Sequence, residues 1–143
     1  MSKTKIMAWL LDRIQSTKHE ENRGYAAELV SILLQNNRSN RLAFGKCDGV
    51  EACLKVLSVS MTSRNGCHLD SYDGLQRYRK RDPVDADETE FMENIFDMLC
   101  SALAEAENKK LFLASEGVDL MVLMMKYVLP LSHYMRLQTD IAT

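Results

Sequence analysis

Proline is nearly absent from this sequence, with two residues in 143, and glycine is sparse at six. That excludes collagen-like and proline-rich classes and leaves few positions at which a helix must stop. Long apolar runs are absent too. No stretch approaches the ~18 uninterrupted apolar residues of a membrane span. The opening MSKTKIMAWLLDRIQ sets Asp12 and Arg13 straight after a short apolar run, so neither a signal peptide nor an anchor is expected. Charge is nearly balanced, at a net −2, which argues against whole-domain attraction to nucleic acid.

Motifs for metal or catalysis are missing as well. Cys47, Cys53, Cys67 and Cys100 form no CxxC pair, and Cys67 beside His68 lacks the spacing of a tetrahedral zinc site. In a chain without a secretory signal these cysteines are expected in a reducing compartment, as small hydrophobes. For the same reason the sequon Asn37-Arg38-Ser39 is expected to stay unglycosylated. His19, His68 and His133 have no nucleophile or acidic orienter at motif spacing, and no Gly-rich phosphate loop or HExxH appears. No enzyme, no metal and no cofactor are expected.

What is present is 46% hydrophobic and 27% charged residues, enough for one domain that buries roughly two-thirds of its unfolded surface. It also carries an internal repeat. Asn40-Arg41-Leu42-Ala43-Phe44 through Asp48-Gly49-Val50-Glu51 matches Asn108-Lys109-Lys110-Leu111-Phe112 through Glu116-Gly117-Val118-Asp119, at a constant offset of 68. In each copy an Asn opens a short helix, a Phe anchors it, and an acid plus Gly ends it. Gly49 and Gly117 are expected to take the left-handed conformation of a helix C-terminus. A second helix follows each, Val50 to Val59 and Val118 to Met125, with Val50, Cys53, Leu54 and Leu57 at core spacing.

A third helix precedes each copy, Asn22 to Leu34 and Thr89 to Leu103. Ala26, Leu29, Val30, Leu33 and Leu34 pair with Ile95, Met98, Leu99, Ala102 and Leu103 at an offset of 69. Ile6, Trp9, Leu10, Leu11 and Ile14 read as the second helix of an earlier unit. Three helices per unit, none able to bury its apolar face alone, is the logic of a stacked solenoid. The fold class expected is therefore all-α, an armadillo/HEAT-like right-handed helical solenoid of about two units over residues 1–126. Armadillo units span ~40–47 residues, so the spacing implies an insertion of roughly 25. Residues 61–86, where the helical period fades and Gly66, Gly74 and Pro83 appear, supply it.

The stretches Tyr25 to Gln35, Asp48-Gly49-Val50, Met92 to Cys100 and Glu116 to Met121 resemble the beta-catenin-like protein 1 family, over about residues 6–126. The resemblance implies a non-enzymatic, armadillo-type protein of the nucleus, associated with the spliceosome through the NineTeen complex. It also implies recognition of basic localisation segments on partner proteins. From Tyr127 onward, including Pro130, the sequence leaves the family pattern, so 127–143 is read as a divergent tail.

Two segments are candidate sites. From Asp82 to Glu107 there are nine acids and no Lys or Arg. On a helix Glu90, Glu93 and Asp97 share one face with Asn94 beside them, while Phe91, Ile95, Met98 and Ala102 face the other way. One reading makes these carboxylates a partner site for Lys and Arg of an extended segment. The other makes them a solvated acidic helix start, with Asp87 or Thr89 as the cap. Upstream, Arg77, Arg79, Lys80 and Arg81 surround Tyr78. They form a candidate localisation signal or a secondary nucleic-acid contact, with Tyr78 stacking; a solvated loop, or one folded back on the acidic helix, are the alternatives. Met121, Met124 and Met125, spaced with Leu120 and Leu123, are expected to pack in the core rather than to offer a peptide surface.

Overall fold

The structure, a computed structural model, describes residues 3–16, 20–64 and 86–125, and among these only helices occur. In chain order they are α1 (Lys3–Gln15), α2 (Glu20–Gln35), α3 (Arg38–Lys46), α4 (Gly49–Arg64), α5 (Ala86–Ala102) and α6 (Ala106–Ala114), then α7 over 117–125. Helices α3, α4 and α5 make one complete unit. Helices α1 and α2 supply the second and third positions of the unit before it, and α6 and α7 the first two of the unit after it. The chain is thus all-α, with the stacked helices of an armadillo-type solenoid.

Each helix buries the stripe its spacing dictates. Met7, Leu10, Leu11 and Ile14 of α1 recur at three- and four-residue intervals and are buried, as are Ala26, Ala27, Val30 and Leu34 of α2 and Phe91, Ile95, Met98, Leu99 and Ala102 of α5. Val50, Cys53, Leu54 and Leu57 of α4 complete one continuous core around Phe44. The broadest contact joins the two third-position helices, α2 and α5. Several expectations need correction. Leu29 is exposed, although its counterpart Met98 is buried, because α5 has α2 to pack against and no described helix covers Leu29. On α7, Leu120, Met121 and Met124 lie partly buried against the core, whereas Leu123 and Met125 are exposed.

Element ends differ too. Helix α4 runs on to Arg64, so residues 61–64 are helical rather than loop. Helix α5 begins at Ala86, which puts Asp87 and Thr89 inside its first turn and excludes both as its cap. Asn40 and Asn108 do not open their helices but stand at the third position. The N-cap of α3 is Asn37, whose side chain accepts from the Asn40 backbone N–H at 3.1 Å.

The expected left-handed glycines are a further correction. No described glycine has positive φ; the left-handed residues are the acids before them, Asp48 and Glu116, both at φ 57°. Each acid heads the next helix, its carbonyl accepting from Ala52 or Leu120, where the helix dipole favours negative charge. The glycines are needed for space. A Cβ on Gly49 would fall 2.5 Å from the Phe44 ring, and one on Gly117 would collide with the Phe112 ring. Each aromatic packs flat on the first turn of the helix that follows it.

Candidate functional site

Helix α5 turns two faces to different surroundings. Phe91, Ile95 and Met98 are buried, while Glu90, Glu93 and Asp97 are exposed. Among the described residues none of these three carboxylates takes part in a salt bridge, so they present three negative charges along about two turns of helix. Asn94 is drawn elsewhere: its Oδ1 accepts from the Ser31 hydroxyl of α2 at 3.3 Å. It belongs to the contact between helices rather than to the acidic face. The basic cluster Arg77, Tyr78, Arg79, Lys80 and Arg81 lies outside the described residues, as does the rest of 65–85.

One acid of the same stretch does different work. Glu105, just before α6, is buried between two arginines of the preceding unit, with Arg41 Nε donating to Oε1 at 2.9 Å and Arg38 Nε to Oε2 at 3.1 Å. Hydrogen bonds from Arg41 first and Arg38 second hold its carboxyl below the ordinary 4.5. Arg41 also donates through Nη1 to the Leu34 carbonyl, so one side chain ties the end of α2 to the start of α6. The sequence held a signal for this. At the repeat offset Glu105 stands where Asn37 caps α3, yet it makes no side-chain cap bond.

Asn108 is the second residue missed. Fully buried, it donates from Nδ2 to the Ala102 carbonyl of α5 and to the Arg41 carbonyl of α3, both at 2.9 Å. Its counterpart Asn40 donates to the Leu33 carbonyl at 2.9 Å, so in both units the same Asn closes the open end of the preceding third helix. Gly45 makes room: a Cβ there would strike Asn108 Oδ1. These groups set the stacking of units and leave the acidic face free.

Among the described residues no cluster of His, Cys, Asp and Glu could hold a metal ion. Cys53 is buried and its thiol is pushed up to about 12 by desolvation, the opposite of an activated nucleophile. No described helix is long and apolar enough to cross a membrane.

The chain has relatives. A family model described as catenin-beta-like, Arm-motif containing nuclear, matches residues 1–65 and 71–136. That match runs past Tyr127 and covers part of the stretch read above as divergent. Beta-catenin-like protein 1 of Homo sapiens is 35% identical over 122 residues, which are 85% of this chain and 18% of the relative. The beta-catenin-like protein 1 homolog of Schizosaccharomyces pombe is 34% identical over 126 residues, 87% of this chain and 19% of that protein. The chain thus spans less than a fifth of the length of these curated relatives.

Proposed function

The chain belongs to the catenin-beta-like, Arm-motif family, and from that premise we propose that it is a non-catalytic, protein-binding scaffold segment of the nuclear pre-mRNA splicing machinery. It takes basic, localisation-type segments of partner proteins onto the acidic face of α5, and spliceosomal proteins of the NineTeen complex are the partners this reading selects. The observation that carries it is the division of α5. Its apolar stripe is buried, and Glu90, Glu93 and Asp97 stand together in solvent. An extended Lys- and Arg-rich segment would meet them with charge-assisted hydrogen bonds, and its side chains would reach carboxylates three and four residues apart along one face.

The test is a fluorescence-anisotropy titration of a labelled Lys/Arg-rich localisation peptide with the chain, at near-physiological salt so that exposed charges are screened as in the cell. Saturable binding at about micromolar Kd, abolished by Glu93→Lys with Asp97→Lys in a variant that keeps its helical circular dichroism, is the expected result. A folded wild type that does not bind, or a variant that binds equally well, removes the acidic face as the partner site.

A further inference from the structure

Helix α6 ends on Ser115, its C-cap, in the turn that leads to α7. The Ser115 hydroxyl donates to Glu51 Oε1 at 3.4 Å, and Glu51 stands in the first turn of α4. The bond therefore joins two successive units, on the exposed side of the contact between α4 and α6. Arg38 and Arg41 hold the same two units through the buried Glu105. Ser115 is thus a point at which the joint can be reached from solvent.

The repeat sets this serine apart. At the offset of 68 its counterpart is Cys47, while the counterpart of Glu51 is Asp119. Both units place an acid at the third residue of the second helix, but only position 115 brings a hydroxyl to one. Other serines are engaged differently: Ser31 is buried against Asn94, and Ser58 donates back to the Lys55 carbonyl of its own helix. Charge in the chain around Ser115 is of one sign. Glu116 and Asp119 follow at one and four residues, both exposed, and no Lys or Arg occurs from Leu111 to Met125.

We propose that Ser115 is the acceptor of a protein kinase that selects serines followed by acidic residues, and that the added charge loosens the joint between the α3–α5 unit and α6–α7. Ser115 Oγ attacks the γ-phosphorus of ATP; the new P–O bond replaces the bond to the β-phosphate, ADP leaves, and the hydroxyl proton passes to the kinase's base. A phosphoserine carries about −1.5 to −2 charges at neutral pH and offers only acceptor oxygens. The hydrogen bond to Glu51 is then lost, and repulsion between the phosphoryl group and that carboxylate takes its place. The C-terminus of α6 adds its own negative pole, and the positive pole of α7 is already met by Glu116 and Asp119. The proposal does not depend on the acidic face of α5.

The test starts from the folded full chain, incubated with an acid-directed serine/threonine kinase and ATP and mapped by residue-level mass spectrometry. Phosphate is expected at Ser115 and is lost from that position in Ser115→Ala. Glu116→Lys with Asp119→Lys slows its incorporation. Hydrogen exchange then reads the joint: amides of α6 and α7 should exchange roughly two- to fivefold faster in the phosphorylated chain, the size expected of an exposed charge pair. Glu51→Gln in the phosphorylated chain should return most of that gain, and circular dichroism verifies that each variant is folded. Phosphate absent from Ser115, or added there only after denaturant, overturns the proposal. So does exchange that phosphorylation leaves unchanged, or an acceleration indifferent to Glu51→Gln.

Discussion

At the scale of single residues, space and burial outweigh backbone preference. Gly49 and Gly117 are equivalent by the repeat, and both lie under a ring, but Phe44 is completely buried whereas Phe112 is only partly so. Gly49→Ala is therefore expected to cost roughly 1–3 kcal/mol, the usual range for overpacking. Gly117→Ala should cost less, because the Phe112 ring has room to move; urea melts of the two variants compare them directly. Burial decides cysteine reactivity in the same way. Cys100 is exposed and Cys53 buried, with a thiol raised to about 12. Iodoacetamide with residue-level mass spectrometry should modify Cys100 in the native chain and reach Cys53 only after denaturant is added. Early labelling of Cys53 would mean that the core around Phe44 opens readily.

At the scale of elements, the joints between helices are held by a few side chains whose partners lie far away in sequence. Asn108 gives its amide to carbonyls of α5 and α3 at once, and it is buried, so Asn108→Ala leaves two carbonyls without that partner. A loss of roughly 1–3 kcal/mol follows from that desolvation, and chemical denaturation should show it. Asn40→Ala removes a single bond, to Leu33, at a partly exposed place, and its loss should be the smaller of the two. The shared Asn was legible as a repeated letter in the sequence. Its role was not, because the acceptors belong to the ends of neighbouring helices that only packing brings close. The buried stripes of α4 and α5 were legible because a 3.6-residue period is a property of one helix by itself, whereas the same spacing also took in Ile6 and Trp9 of α1 and Leu29 of α2, which are exposed.

At the scale of the molecule, successive units are locked by Arg38 and Arg41 on Glu105. Because the folded state holds the Glu105 carboxyl below its ordinary 4.5, the unfolded chain binds the proton first as pH falls. The stabilisation is complete above the unfolded value and declines as pH drops through it toward the lower folded value. Acid titration of thermal stability should therefore show a steeper loss below about pH 4.5 for the wild type than for Glu105→Gln. Equal slopes would mean that the bridge contributes nothing to holding the units together. Glu90, Glu93 and Asp97 of α5 are exposed and lack such an ion pair among the described residues, and the proposed partner site rests on that contrast.

Sequence by itself determined the class of this protein: helices, three to a unit, repeating at offsets of 68 and 69, with family blocks carried on the same helices. It could do so because periodicity, composition and self-similarity are local or additive along the chain. Only the tertiary structure decided which member of each equivalent pair is covered. Leu29 and Met98 share a repeat position, yet one is exposed and the other buried, as Asn37 caps a helix where Glu105 bridges two arginines. The physical reason is that burial and ion pairing depend on the neighbour a residue meets, and in a stacked fold that neighbour comes from the adjoining unit.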